Sequence, residues 1–528
     1  MAKRRILIFI IFLTILGGFL RFWQIDKIPP GIYPDEAMNA NDAIDSLQTN
    51  IFKLFYPENN GREGLFIWLI SLSFLVFGIS IFSLKFVSAL FGTLTVLGLY
   101  FLIKEVFFEN KLLDNKKIAL LSSFFLAVSF WHINFSRIAF RAILMPFFLV
   151  FGFYFLFKGF RKKQILDLIF SGVLLGLGFY TYISYRFLVI LLIPVLFCWF
   201  LIYKKQGLQK KYILFGFLLL LAIFVTALPI GIYFLKNPEA FLGRAGGVSI
   251  FAQGNPFYNF GKSLILHLGM FNFRGDYNWR HNFSGAPQLL WPVGILFLVG
   301  LVFSVVKVIS AIKEKNFNTL NCFSFLISWF VIMLFPGFLS SEGIPHSLRV
   351  LGTVPAVYSF AGIGGAVIFE KLKAFAPKRQ KLLLSCFFAF LLIVAICQFN
   401  KYFFKWGKRN EVKNAFSSNY VAIGNFLNSL PDNVKKYVIV NQAGVPVPWP
   451  TGIPMPAQTT MFIERTKFHK PRAIYLTPKN LSKIKTDNKK CIVVPLQPDN
   501  KLIDKLQTLF PSGKIKKVNG ITFYQINQ

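Results

Sequence analysis

Acidic residues are scarce in this sequence. Asp and Glu number 22 against 58 Lys and Arg in 528 residues, and charged residues of both signs make up only 15% of the chain. Soluble globular domains are about 25% charged, so that class is excluded, and so are intrinsic disorder and collagen-like architecture. Cysteine is rare as well: Cys198, Cys322, Cys386 and Cys397 lie in apolar stretches, and Cys491 stands alone near the C-terminus. No disulfide framework and no Cys/His metal-ligand spacing can be read from them. The chain also lacks a nucleotide-binding glycine pattern, an internal repeat and any low-complexity segment. What it has in abundance is apolar: 55% of residues are hydrophobic and 18% aromatic, with 66 Phe. A net charge of +36 would point to nucleic acid in a soluble chain. Among apolar runs it points to cytoplasmic loops, and no nucleic acid partner is expected.

Runs near the length of about 20 helical residues that crosses a bilayer occur at 6–20, 86–103, 118–133, 142–157, 168–185, 187–203, 212–235, 288–306, 319–338, 350–369 and 382–400. The loops 104–117, 158–163, 204–211, 307–315 and 371–381 between them carry 18 Lys and two Arg. By the positive-inside rule they are cytoplasmic, together with Lys3, Arg4 and Arg5. The N-terminus has the charge pattern of a signal peptide without a small-residue cleavage site, and reads as a retained first transmembrane helix. A further run, 65–82, would invert every later basic loop if it crossed, so it reads as a partial or interfacial helix on the outer side. The expectation is a polytopic α-helical membrane protein of about 11 transmembrane helices, multi-pass in the plasma membrane, with a cytoplasmic N-terminus. Its membrane domain is residues 1–400, including an acidic first outer loop (21–64) and a large outer loop (236–287). Residues 401–528 read as a small outer-facing soluble α/β domain, with helices over 415–430 and 501–510 and strands over 437–441, 491–496 and 520–525.

Ion-coupled transporters place ionisable groups near the midplane, and these spans have almost none; Asp167, at a cytoplasmic edge, is the acid nearest to one. Chemistry is therefore expected at the outer interface. The first outer loop holds seven of the 22 acids in about a twelfth of the chain: Asp26, Asp35, Glu36, Asp42, Asp45, Glu58 and Glu63. Pro29-Pro30-Gly31-Ile32-Tyr33-Pro34 leads into Asp35-Glu36 and a stretch of helical spacing, which puts both carboxylates at a helix N-terminus. Asp35 is then either the N-cap or a general base facing the membrane surface. Against the Lys-rich inner loops, the outer loops and helix ends carry Arg21, Arg62, Arg137, Arg141, Arg186 and Arg349, with Lys85 as the exception. A guanidinium fork matches phosphate bidentately, so either a lipid phosphate or the acids of the first loop are the expected partners. On a continuous helix Arg137 and Arg141 share a face. His132 and His346 fit either a site or an interfacial hydrogen-bonding role.

Several of these features occur together in one known group: a short N-terminal helix, Asp35-Glu36 after a Pro-Gly segment, Arg62 before Leu65 and Trp68, a span closing on Ser136-Arg137, and a late Pro345-His346. In these the chain resembles the GT-C superfamily, in particular the protein O-mannosyltransferases and the lipid A aminoarabinose transferases, over roughly residues 1–370. The resemblance implies that Asp35 and Glu36 activate or position the acceptor. It places Arg62 where aminoarabinose transferases have the Lys of Glu-Lys-Pro-Pro-Leu, although Glu63-Gly64 here replaces the prolines. His346 matches the late Pro-His, while Ser347-Leu348-Arg349 departs from the usual apolar continuation. The implied reaction moves a sugar from a polyprenyl-phosphate donor to a hydroxyl of a protein, lipid or glycan on the outer face of the bilayer, with inversion. In it Asp35 is the base, and Arg62, Arg137, Arg141, His346 and Arg349 bind the lipid phosphate. It requires no nucleotide site; no metal ligand is assigned, and a divalent metal remains open. The alternative is a lipid-linked saccharide flippase or transporter.

Overall fold

The computed structural model describes residues 2–110, 112–251, 254–487 and 489–526. The side chains of Lys3, Arg4 and Arg5 lie outside the described residues, as do Lys111 of the 104–117 loop and residues 252 and 253 of the 236–287 loop. The chain forms two compact units, one of Met1–Trp23 with Ser88–Trp406 and one of Gln24–Val87 with Gly407–Gln528.

In the first unit, helix α1 spans Ala2–Phe22. Among the described residues, eight helices are long and apolar enough to cross a membrane: Ile81–Val106, Arg141–Lys162, Ile183–Lys205, Gln209–Lys236, Trp291–Lys313, Phe317–Phe338, Leu351–Phe375 and Pro377–Trp406. Each takes up one of the expected runs. The count of eleven is not established among the described residues: two runs form shorter helices, and the first lies within the 21-residue α1. At the N-terminus the apolar segment is Leu7–Phe22, and run 168–185 gives a helix that ends in a tight turn at Gly178–Tyr180. Run 118–133 is broken at Ser129, which closes Asn115–Val128 in extended conformation and caps Phe130–Phe135 with its hydroxyl. A serine that accepts the N–H of His132 starts a new helix, and hydropathy alone does not see it.

The hub of this unit is Leu351–Phe375, with 94% of its apolar window buried against 11% for Pro377–Trp406. Glycine permits the closest crossing. A Cβ on Gly300 would lie 1.9 Å from the Phe360 carbonyl oxygen, and one on Gly364 would lie 1.9 Å from that of Leu296. Two backbones this near allow no side chain between them, the usual use of small residues in membrane helix pairs. Helices at the periphery turn apolar residues outward, as Gln209–Lys236 does with Ile213, Phe217 and Phe224. Together these features give the polytopic α-helical membrane fold that the sequence predicts.

The second unit joins the acidic loop to the C-terminal residues, whereas the sequence grouped that loop with the membrane helices. Helix α2 spans Pro34–Thr49, a short antiparallel pair joins Phe55–Tyr56 to Arg62–Glu63, and helix α3 spans Leu65–Phe77. The 13 residues of α3 reach about 20 Å, short of the roughly 30 Å hydrocarbon core. This is the dimension of the partial helix expected over 65–82.

The C-terminal sheet has five strands in the order Ile474–Leu476, Lys435–Ile439, Cys491–Pro495, Ile521–Ile526, Lys514–Val518. Its first three strands are parallel and the last two pair antiparallel. Alternation divides the buried side chains between two cores. Val438, Ile492 and Val494 face helix Ser418–Ser429 through Ile423 and Leu427, while Tyr437, Ile439 and Val493 face helix Asn500–Leu509 through Leu502 and Leu506. Period-two alternation with both faces covered is what a layered α/β domain requires. Lys514–Val518 is exposed at the edge and carries three lysines, a composition that discourages pairing with another chain.

Candidate active site

The acidic loop folds around α2. Pro34 occupies its first turn, where a missing N–H costs nothing. The residue before it, Tyr33, is the N-cap, so Asp35 is not, and the capping expectation is corrected to this extent. Glu36 is fully buried and its Oε1 accepts the Tyr33 N–H at 3.1 Å, which closes the helix start. Asp35, one residue earlier and half-buried, takes one hydrogen bond, from Asn59 Nδ2 to Oδ1 at 2.9 Å. Its Oδ2 has no hydrogen bond among the described residues.

Other acids of the loop are engaged by the protein itself. Arg62 is almost fully buried; it pairs with Asp42 and donates to Asn39 Oδ1 at 3.0 Å and to the Glu58 carbonyl at 3.3 Å. Its charge is thus neutralised inside the loop, the second of the two partnerships that the sequence left open. Burial holds the Asp42 carboxyl above its ordinary value, and the Arg62 guanidinium opposes that rise. The buried Lys85 ammonium donates to the carbonyls of Pro29 and Gly31, both at 3.2 Å, and so holds the turn that enters α2.

The C-terminal residues grip the same helix. Asn41 Nδ2 donates to Gln458 Oε1 at 2.7 Å, Arg465 pairs with Asp45 at 2.8 Å, and Thr459 Oγ1 donates to the Ile32 carbonyl at 3.1 Å. Helix Ala457–Phe468, which supplies these groups, had no counterpart among the sequence expectations. Its amphipathic signal is weak because its buried face includes Gln458, Thr459, Thr460 and Glu464.

In the first unit the arginines also differ from expectation. Arg137 and Arg141 do not share a helical face, because Phe130–Phe135 ends before Arg137 and a tight turn restarts at Arg141–Ile143. Arg137 is fully buried and donates to the carbonyls of Leu20 (3.1 Å), Arg21 (3.0 Å) and Trp23 (2.7 Å), closing the C-terminus of α1. Arg21 is equally buried and donates to Gly17, Leu126 and Ala127 carbonyls, with Nη2 at 2.7 Å from His132 Nδ1. His132 is therefore fixed in the packing around α1. Arg141 lies over the Tyr182 ring at 5.3 Å, and Arg349 donates to the Glu342 carbonyl at 2.6 Å.

One constellation escaped the sequence reading. The ligand atoms of Asp276, His281 and His346 all lie within 4.8 Å of one another. No metal ligand was assigned from the sequence, because the first two residues sit in the 236–287 loop and the third lies far along the chain. His281 Nδ1 is 3.1 Å from Asp276 Oδ2, the ring centroids of His281 and His346 are 4.8 Å apart, and the His346 N–H donates to His267 Nε2 at 3.1 Å. Burial pushes the His267 imidazole down to about 4 and lowers His281 and His346 as well.

Residues 65–230 match the dolichyl-phosphate-mannose-protein mannosyltransferase family. The match includes Arg137 and Arg141, but not Asp35, Glu36, Arg62, His346 or Arg349. No curated protein matches in sequence. Among solved structures, ArnT from Cupriavidus metallidurans bound to undecaprenyl phosphate superposes with a TM-score of 0.55 at 12% identity, covering 99% of this chain and 98% of that one. The same protein in the apo state gives 0.56 at 11% identity, with the same coverage of both chains. The apo oligosaccharyltransferase of Archaeoglobus fulgidus gives 0.50 at 14% identity, over 89% of this chain and 64% of that one. The chain has the GT-C fold.

The residues that the sequence proposed for a site fall in both units. Asp35, Glu36 and Arg62 belong to the unit of the acidic loop, and Arg137, Arg141, His346 and Arg349 to the helical unit. Of these seven, Glu36, Arg62 and Arg137 spend their charge on the protein itself, whereas Asp35 keeps a carboxylate oxygen without a hydrogen bond.

Proposed function

We propose that this chain is a membrane glycosyltransferase that moves a sugar from a polyprenyl-phosphate donor to an acceptor hydroxyl on the outer face of the bilayer. Its lysine-rich loops would be cytoplasmic, as would the N-terminus, and the C-terminal sheet domain would face outward from a plasma membrane. The observation that carries this reading is the state of Asp35. Glu36, Asp42, Asp45 and Glu58 are all engaged by the surrounding protein, while Asp35 presents Oδ2 with Asn59 fixing the other oxygen. The fold and the family match support the donor class, since ArnT was solved with undecaprenyl phosphate.

In the proposed reaction the acceptor oxygen attacks the anomeric carbon in line with the departing phosphate, inverting that centre. The new C–O bond forms as the C–O bond to phosphate breaks, and the acceptor proton passes to Asp35. A phosphate leaving group needs no strong general acid; it needs cations where charge develops. Arg141 and Arg349 fit that role better than Arg62 and Arg137, which the protein consumes. Glu36 is then a positioning residue that fixes the turn from which Asp35 projects.

The test is transfer of radiolabelled sugar from a polyprenyl-phosphate donor in membranes containing wild type or Asp35→Asn. Loss of a general base costs roughly 10²–10⁴-fold in rate, with folding and membrane insertion unchanged. Turnover at the wild-type rate by Asp35→Asn would remove Asp35 from the mechanism. Movement of labelled lipid across the bilayer without glycosidic bond formation would make the chain a flippase.

A further inference from the structure

Lys436 in the C-terminal sheet is 3% exposed, and its ammonium has neither a hydrogen bond nor an ion pair among the described residues. It is the second residue of the strand Lys435–Ile439, and alternation puts it on the face that carries Val438. Lysine is almost never enclosed without a counter-charge, because a buried cation with no partner is strongly unfavourable. Glu464 is buried too but forms no ion pair with it: Oε1 accepts the N–H groups of Arg472 and Ala473, both at 2.9 Å, and Oε2 accepts the Tyr475 hydroxyl. Lys436 instead lines a cleft of about 180 Å³ together with Asp432, Lys435, Arg472, Asp487 and Lys489. Strand starts bring these residues together. Lys435 and Lys436 open one parallel strand, Arg472 stands two residues before Ile474–Leu476, and Lys489 two residues before Cys491–Pro495.

We infer that this cleft binds a phosphate group, held by Lys436, Arg472 and Lys489. Both acids of the cleft are already paired, Asp432 with Arg472 and Asp487 with Lys435. The ammonium groups of Lys436 and Lys489 are left over, neither with a hydrogen bond or ion pair among the described residues. The Arg472 guanidinium lies over the Phe468 ring at 4.1 Å, which fixes its plane and leaves the edge of the fork for an anion. Its present partner is displaceable, since the Asp432 side chain is 88% exposed and an ion pair in water is weak. A planar carboxylate offers two oxygens. A phosphate carries roughly two negative charges near pH 7 and presents three acceptor oxygens, so it can meet two ammonium groups and a guanidinium that arrive from three strand starts. The cleft is smaller than the roughly 300–1,000 Å³ of sites that enclose a drug-sized ligand. It therefore takes a headgroup-sized anion and not a whole glycan.

The site does not depend on the proposed transfer reaction, because binding is read without turnover. Full-length protein in a zwitterionic detergent is titrated calorimetrically with inorganic phosphate. The baseline is sodium chloride at equal ionic strength, because a chain of net charge +36 attracts any anion. One phosphate per chain is expected, with affinity reduced about tenfold or more in Lys436→Met and in Arg472→Gln. Lys436→Met exchanges an unpaired buried cation for an apolar side chain of similar length, so it should melt at or above the wild-type temperature, and its lost binding is then not lost folding. Phosphate should raise the wild-type melting temperature progressively with concentration and leave Lys436→Met unmoved. A second arm replaces inorganic phosphate by micelles doped with phosphatidylglycerol. Binding in both arms assigns the cleft to phosphate in general, inorganic phosphate alone assigns it to a free phosphate, and the lipid alone to a phospholipid headgroup. Glutarate that binds as tightly as phosphate overturns the choice of ligand. A wild type that responds to neither phosphate source, or either variant binding as the wild type does, overturns the site.

Discussion

Replacing Arg62 by Ala separates a structural arginine from a phosphate-binding one. In the wild type Arg62 is 1% exposed, and its guanidinium pairs with Asp42 and reaches Asn39 and the Glu58 carbonyl. Its removal leaves a largely buried carboxylate without its cation, a loss of about 3–5 kcal/mol. For a unit of this size that lowers the melting temperature by roughly 6–20 °C. Arg62→Ala combined with Asp42→Asn removes the charge as well as the partner. What then remains is the lost hydrogen bonds to Asn39 and Glu58, about 1 kcal/mol each, so the double variant melts above the single one. The pH dependence has a definite sign. Burial already holds the folded Asp42 carboxyl above its unfolded value, and loss of Arg62 raises it further. The penalty for the lone carboxylate is therefore present in full above the folded pKa and disappears as pH falls through it. Thermal melts of detergent-solubilised protein between pH 7 and pH 4 check this, and the gap between Arg62→Ala and wild type should narrow toward the acid end. An Arg62→Ala protein that melts like wild type while its KM for the donor rises would refute the structural account and return Arg62 to the phosphate.

Arg137→Ala is expected to lower the melting temperature by stripping donors from the carbonyls of Leu20, Arg21 and Trp23, at about 1–3 kcal/mol for each acceptor left unsatisfied. Its donor KM at a permissive temperature should stay unchanged, and a tenfold rise in KM at constant stability would contradict that role. Arg465→Ala removes a partly exposed pair with Asp45, worth at most about 1 kcal/mol. Because that pair holds α2, the expected effect is a lower kcat with unchanged donor KM; a change confined to KM would count against it.

Much of the helical architecture was legible because bilayers impose lengths that hydropathy reports directly. Eight of the eleven expected runs became helices long enough to cross. Run 118–133 shows where hydropathy stops being informative. Ser129 is as small and inconspicuous in an apolar run as any residue, yet its hydroxyl ends one helix and begins another. The C-terminal sheet was legible where both faces are apolar, as over Lys435–Ile439 and Cys491–Pro495, while no strand was expected at the short Ile474–Leu476 or at the exposed, lysine-bearing Lys514–Val518. The packing of α2 against Ala457–Phe468 could not be read at all. It rests on polar contacts such as Asn41 with Gln458, between residues more than 400 positions apart.

The arginines carry the sharper lesson. Arg in place of Lys pointed to a lipid phosphate or to the acids of the first loop, but five N–H donors in a planar fork fit a lipid phosphate, a buried carboxylate and the bare carbonyls of a helix end alike. Sequence position does not distinguish these; burial does. A fully buried arginine such as Arg137 or Arg62 must meet its acceptors within the protein, since an uncompensated cation there costs several kcal/mol. An arginine that is to meet a ligand has to keep part of its surface accessible, as Arg141 and Arg349 do. The same argument selects Asp35 over Glu36. Adjacent in sequence and identical in charge, they differ in that one carboxylate is enclosed by its own helix start and the other is not.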